Sequence, residues 1–422
     1  MDTVATILVS LFCIGYLAII FEFSIKINKT AVAVCLAVLC WAVFFLQADS
    51  IHQAMKHVTS HLSDVSQIIF FLLGAMTIVE LIDSHKGFNA ILEYMHARSK
   101  QKMLCIISFV TFFMSAVLDN LTTTVLMVSI LRKLIPKAKD RVLALYMVVI
   151  AANAGGAWSP IGDVTTTMLW INGQLSTLSM IQKLIVPSLV CMLIPLGFYW
   201  MQLKGNHELP EGGFHKEPIE PGGTAVLLIG MGGLISVPIF KWWTGMPPFM
   251  GVMFALSVLW IATDLLHHKY PHRTHLRIPF ILTKIDVSSL LFFLGILMSM
   301  DVLRAAGILQ SIGQWTHTYL KEDVWIAAFL GGISSVLDNM PLVAATMNMY
   351  DLARYPMDSH LWMLIAYAAA TGGSILSIGS SSGIIVMGLE KVSFFGYVKK
   401  ASLPALLGFL AGLVTYQLGR LL

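Results

Sequence analysis

Apolar runs of about 17 or more residues recur along this chain, separated by short polar stretches. A helix needs about 20 predominantly apolar residues to cross a bilayer core. The runs predict full spans over 4–22, 31–47, 65–83, 142–170, 184–203, 223–240, 247–267, 287–304, 360–388 and 401–421. Two further apolar segments, 103–135 and 322–353, are too long for one straight span and carry an Asp-Asn pair near the middle. Each is either two spans joined by a tight turn or a re-entrant hairpin. Irregular backbone at membrane depth is tolerated only where it is enclosed by protein or lines a cavity, so an Asp-Asn set among apolar and hydroxyl residues suits a hairpin tip. Residues 50–64, 85–101 and 305–320 mix apolar and charged positions at helical spacing and predict amphipathic helices along the interface.

The pattern occurs twice. Residues 115–124 read Ser-Ala-Val-Leu-Asp-Asn-Leu-Thr-Thr-Thr, and 334–341 read Ser-Ser-Val-Leu-Asp-Asn-Met-Pro, about 219 positions later. Phe71-Leu72-Leu73-Gly74 with Glu80 matches Phe292-Phe293-Leu294-Gly295 with Asp301. A third block, Ala151 to Asp163, matches Ala368 to Ser380, with Gly155-Gly156 facing Gly372-Gly373 and Gly162 facing Gly379. Three matched blocks in the same order predict an internal repeat: 1–203, a Gly-, Pro- and Glu-rich linker 204–222, and 223–422.

Composition narrows the class. Of 422 residues 57% are hydrophobic and 12% charged, about half the charged fraction usual in soluble domains. This predicts an all-α polytopic membrane protein. The net charge of +4 is a topology signal and not one of nucleic-acid binding, because Lys and Arg sit in short loops. With both termini external and both hairpins re-entrant, only Lys56, Lys183, Lys241, Arg304, Lys321, Arg354 and Arg420 of the 27 basic residues fall outside. That is a strong positive-inside bias. It makes the two halves inverted, the architecture of many secondary transporters. The five cysteines lie in apolar runs without metal-ligand spacing and read as small buried hydrophobes. Asp2 and the lack of a basic start make 4–22 a first span and not a leader.

The candidate chemistry sits at the hairpin tips and in two interrupted helices. An Asp at membrane depth costs ~2.5–3.5 kcal/mol to insert and is by default functional. Gly155, Gly156, Pro160 and Gly162 interrupt 142–170, and Gly372, Gly373 and Gly379 interrupt 360–388. Gly and Pro loosen the helical ladder. Exposed carbonyls, hydroxyls and carboxylates are hard oxygen ligands for a small cation. The expected cation- and proton-binding set is Asp119, Asn120, Ser159, Asp163, Thr165 and Thr166, with Asp338, Asn339, Ser377 and Ser380 from the second half. Thr122, Thr123, Glu80 and Asp301 are expected in support, the last two equally readable as helix-end ion pairs. Asp163 faces Ser380 in the repeat, so the site is asymmetric in charge. A proton and a Na⁺ can then compete for one carboxylate.

At these residues the chain resembles the ion transporter superfamily, and within it the NhaD-type sodium/proton antiporters. The resemblance runs from about residue 30 to the C-terminus and is most specific at Gly155 to Thr166. It implies five spans and one hairpin per half, a homodimer formed by scaffold helices, and elevator-like movement of a transport domain. It also implies efflux of Na⁺ or Li⁺ against inward H⁺ across a bacterial cytoplasmic membrane, with no cofactor. Dicarboxylate-carrying relatives have Ser-Asn-Thr where Leu-Asp-Asn stands here. Arsenite and anion exporters share Asp-Asn tips, so a carrier for arsenite or an organic anion is the alternative. No Arg or Lys lies at the tips or breaks to neutralise an anion. An intramembrane enzyme is disfavoured, because the histidines fall at span ends or in loops, with His267, His268, His272 and His275 in one basic loop. His85, Glu80 and those loop histidines are candidates for a pH response.

Overall fold

The computed structural model describes residues 3–48, 50–92, 95, 97, 99–135, 138–203, 205 and 219–421. Most of the linker 204–222, and part of the expected interface helix 85–101, lie outside the described residues.

Among the described residues the regular elements are helices. The first half contains α1 (Thr3–Ile20), α2 (Lys29–Leu46), α3 (Ile51–Ser84), α4 (Lys100–Leu118), α5 (Asn120–Leu134), α6 (Ala138–Gly156), α7 (Val164–Ile171) and α8 (Thr177–Gln202). The second contains α9 (Gly223–Thr244), α10 (Pro248–His267), α11 (Val287–Ala305), α12 (Ile308–Leu320), α13 (Asp323–Ser334), α14 (Asn339–Met349), α15 (His360–Gly372), α16 (Ser381–Glu390) and α17 (Leu403–Leu421). Eight helices among the described residues are long and apolar enough to cross a membrane. The protein is therefore a polytopic helical membrane protein. Three expected spans are not among the eight: 4–22, which counts only as the shorter apolar helix Ala5–Ile20, and 142–170 and 360–388, which are divided, α6 from α7 by residues 157–163 and α15 from α16 by 373–380. One arm of the expected hairpin 103–135, α4, is among them.

The expected interface helix 50–64 is not separate. It runs straight into the next span as α3, 34 residues long and capped by Ser50, whose side chain accepts from the Gln53 N–H. No Pro interrupts that stretch and its first Gly is Gly74, so nothing breaks the ladder. At 1.5 Å per residue α3 measures roughly 51 Å, well beyond a bilayer core of about 30 Å. Residues 305–320 do form a helix, α12, with Leu309, Gly313 and Thr316 on its buried face. In the described part of 85–101 only a short turn, Asn89–Leu92, is helical before α4 begins. Two cysteines depart from expectation: Cys13 and Cys35 are exposed, whereas Cys40 and Cys191 are buried. An apolar thiol facing lipid costs nothing comparable to one facing water.

The centre belongs to the divided helices. Leu145 to Ala152 of α6 and Leu361 to Gly372 of α15 are buried throughout. A helix apolar on every side belongs in an interior. α4 packs along α6, and α13 along α15. Backbones approach closely there: a Cβ on Gly155 would strike the Phe112 carbonyl, and one on Gly372 the Gly331 carbonyl. Ser115 Oγ donates to the Ala152 carbonyl at 2.6 Å, and Ser334 Oγ to the Ala369 carbonyl at 2.7 Å. The same serine and glycine positions thus fasten a hairpin arm to a divided helix in each half. Around them α2 packs on α11, α8 on α17, and α9 on α10.

Candidate functional site

Four helices begin at the centre, and each starts on a polar cap. Asp119 caps α5, Asp163 caps α7, Asp338 caps α14 and Ser380 caps α16. Asp119 accepts from the Thr122 N–H at 2.9 Å and the Thr122 hydroxyl at 2.8 Å. Its φ of 69° turns the chain between the two arms of the hairpin. Asp338 accepts from the Met340 N–H at 3.3 Å. Helix N-termini carry positive partial charge and suit carboxylates. α4, α6, α13 and α15 end beside them, bringing the opposite partial charge.

Asp163 is the hub. It is 1% exposed. Its Oδ1 accepts from the Thr165 N–H at 2.8 Å and the Thr165 hydroxyl at 2.7 Å. Its Oδ2 accepts from Asn120 Nδ2 at 2.7 Å and from Asn339 Nδ2 at 3.3 Å. One carboxylate therefore receives an amide from each Asp-Asn tip. Thr123 Oγ1 and Asn339 Oδ1 are buried oxygens without a hydrogen-bond partner among the described residues. Unpaired buried oxygens are rare and ask for an explanation, an unseen ion being one.

The hydroxyls of the break hold its backbone. Ser159 Oγ donates to the Ala116 carbonyl at 2.5 Å. Thr166 Oγ1 donates to the Ser159 carbonyl at 2.7 Å, and Thr167 Oγ1 to the Pro160 carbonyl at 2.9 Å. Gly156 and Gly162 lie backbone to backbone, as do Gly373 and Gly379. Of the residues expected from sequence, Asn120, Asp163, Thr165, Asn339 and Ser380 belong to one hydrogen-bonded network, and Asp119 and Asp338 cap the helices beside it. Ser377 does not join them; its hydroxyl points to Met387 Sδ at 2.9 Å. Glu80 and Asp301 also stand apart. Glu80 meets Lys284 at 3.6 Å, and Asp301 meets His61 at 3.1 Å.

Sequence reasoning missed Asn153 as a site residue. Its Oδ1 accepts from Asn120 at 3.0 Å, while its Nδ2 donates to Ser374 Oγ at 2.8 Å and Ser380 Oγ at 3.0 Å. It links the Asp163 network to the second divided helix. The available signal was an amide in the otherwise apolar run before Gly155-Gly156, where Thr371 stands just before the second pair of glycines. The histidine loop is also redrawn: His267 ends α10 and is buried, with Nε2 at 3.0 Å from His85 Nε2.

A divided helix, a hairpin tip and a buried acid held by amides define a transporter core rather than an enzyme site. Comparison with known proteins agrees. A model described as citrate transporter (CitMHS) matches residues 16–355. Sodium/proton antiporter 2 of Arabidopsis thaliana is 47% identical over 412 residues, 96% of this chain and 97% of that protein. Sodium/proton antiporter 1 of the same plant is also 47% identical, over 96% of this chain and 71% of that protein. The Na⁺/H⁺ antiporter NhaD of Vibrio cholerae is 28% identical over 97% of this chain and 90% of its own length. The chain belongs to the citrate transporter family and, within it, is of the NhaD-type sodium/proton antiporter kind.

Proposed function

We propose that this protein exchanges cytoplasmic Na⁺, or Li⁺, for external H⁺ at the carboxylates around Asp163, serving sodium efflux and pH homeostasis. The observation that carries this is the reach of Asn120 and Asn339, one from each hairpin tip, to a single buried carboxylate. With no cation bound, the two amide N–H groups and Thr165 satisfy the charge. A bare Na⁺ would take Asp163, the oxygens of Asn339 and Thr123, and Asp119 or Asp338. An Asn side chain serves both states, since turning its amide presents oxygen in place of N–H. A proton on the carboxylate excludes the cation, and the cation excludes the proton. Exchange then needs only that the carrier changes its facing when loaded with either.

The matched Ser–carbonyl and Gly–carbonyl contacts of the two halves support an inverted repeat of 1–203 and 223–422. Alternating access would move the divided helices and hairpins as one body against α2, α3, α10 and α11, in a homodimer with external termini. Ser377 is left out of the proposed set, because its hydroxyl faces Met387 Sδ and its carbonyl lies against Gly383. A second reading, anion transport, is favoured by the description of the family model. Against it stands the ring of carboxylates capping α5, α7 and α14.

The test uses inverted vesicles with an imposed pH gradient and a fluorescent reporter. NaCl or LiCl should dissipate the gradient while KCl and citrate do not. Citrate uptake without a cation response would replace this reading with the second.

A further inference from the structure

The two short helices of the divided pairs, α7 and α16, have eight and ten residues. Helices of two or three turns have little stability of their own, so their positions must come from tertiary ties. Their inner ends are Asp163 and Ser380. Their outer ends are held by two carboxylates that the ion cluster does not contain.

Glu390 ends α16, and its side chain is only 4% exposed. Its Oε1 accepts from Arg132 Nε at 2.7 Å, and its Oε2 accepts from Arg141 Nε at 2.9 Å. Arg132 also donates to the Leu389 carbonyl at 2.6 Å, and Arg141 to the Ile135 carbonyl at 2.9 Å. Arg132 lies in the last turn of α5 and Arg141 near the start of α6. Those helices carry Asn120 and Asn153 at their other ends. So α5, α6 and α16 are joined at the cluster by Asn120, Asn153 and Ser380 and joined again, far from it, by Glu390.

A counterpart holds α7. Asp358, with φ of 64°, precedes α15. Its carboxylate accepts from the Ser176 N–H at 2.7 Å and the Ser176 hydroxyl at 2.6 Å, and its own N–H donates to the Gln174 carbonyl at 2.9 Å. Gln174 to Ser176 is the segment that leaves α7. A non-glycine residue at positive φ is uncommon and is kept only where its surroundings demand it. The offset from Arg141 to Asp358 equals that from Asp163 to Ser380. Corresponding positions in the two halves thus carry opposite charges, and each fastens the outer end of the other half's short helix.

We infer that Glu390 and Asp358 are positioning residues for ion exchange: the two clasps set how far α16 and α7 reach into the cluster, and so set its cation affinity and its choice between Na⁺ and Li⁺. This rests on the proposed exchange at Asp163. A short helix fixed at its outer end transmits a shift there to its cap, since it behaves as a rigid rod of about 12–15 Å.

The test measures exchange in vesicles for wild type, Glu390→Gln, Glu390→Ala, Asp358→Asn and Asp358→Ala, normalised to the amount of protein in the membrane. Half-saturating Na⁺ should rise about tenfold in each alanine variant and about threefold in the amide variants, which keep the shape of the clasp. The ratio of Li⁺ to Na⁺ half-saturation should move, while the maximal rate per protein stays within about twofold. Glu390→Asp should recover part of the affinity. If the variants only reduce protein level or maximal rate, leaving both half-saturation values at wild type, the clasps are merely structural and the inference is wrong. Should an alanine variant fail to insert, the amide variants decide on the same readout. A wild type that exchanges no cation would overturn the proposed function instead, and a wild type that exchanges with variants unchanged in affinity would overturn only this inference.

Discussion

Asn120 donates to Asp163 at 2.7 Å, whereas Asn339, its counterpart in the second half, reaches the same carboxylate at 3.3 Å. The inequality matters because hydrogen bonds to a charged group are worth about 1.5–3 kcal/mol and weaken with distance. The shorter bond stabilises the cation-free carboxylate, so losing it in Asn120→Ala should lower half-saturating Na⁺ about threefold, whereas Asn339→Ala, which removes an oxygen proposed to bind the cation, should raise it about tenfold. Titrating Na⁺ against the pH-gradient signal for both variants checks the order. Equal effects would mean that the tips contribute alike when the ion is bound.

Asn153 is the tie between the Asp163 network and the second divided helix. Replacing it with Ala leaves Ser374, Ser380 and Asn120 short of a partner in a buried place. Breaking such a network costs about 1–3 kcal/mol per orphaned group. Asn153→Ala should lower the melting temperature of the detergent-solubilised protein and abolish exchange, while Asn153→Asp should lose exchange less completely. Fluorescence-detected melting and the vesicle assay measure the two effects.

Much of this was legible in the chain. The Asp-Asn tips and the Gly-rich breaks stood out because polar and helix-breaking residues are conspicuous in apolar runs, and most helix ends followed within a few residues, the starts of α3 at Ile51 and α8 at Thr177 excepted. Ser377 and Asn153 were not resolved correctly, since sequence places a residue on an element but does not fix where its side chain points. The continuity of α3 was missed for a similar reason. A change from amphipathic to apolar composition marks where a helix leaves the membrane, not where it ends. Glu80 and Asp301 illustrate a further limit, because their partners Lys284 and His61 are distant in sequence.

Close backbone approach makes the glycines unequal. Gly155→Ala should prevent assembly, because its methyl would meet the Phe112 carbonyl, which cannot retreat. Gly232→Ala should be tolerated, since nothing lies within 4 Å of that position. Protein recovered in the membrane fraction distinguishes them, and similar yields would contradict the packing described.

His85 and His267 share one hydrogen bond at 3.0 Å, and His85 Nδ1 meets the Leu81 carbonyl at 2.8 Å. If Nδ1 carries the His85 proton, His267 must donate to His85. Burial holds His85 below its ordinary value of 6.5, with the Leu81 bond and Glu220 opposing and His275 assisting. A depressed histidine stabilises the folded protein above its unfolded value and loses that contribution as pH falls below it. The melting temperature should therefore drop below about pH 6.5, and the acid-dependent part should shrink in His85→Gln. A pH profile unchanged by that substitution would remove the pair from the pH response.

The central claim is that one buried carboxylate takes Na⁺ and H⁺ in turn. The direct measurement is Na⁺-driven proton movement in inverted vesicles across a pH series, comparing wild type with Asp163→Asn at matched protein levels. The account predicts exchange by wild type and none by Asp163→Asn at any pH, with the variant still inserted in the membrane. An Asp163→Asn protein that exchanges with wild-type half-saturating Na⁺ would contradict it.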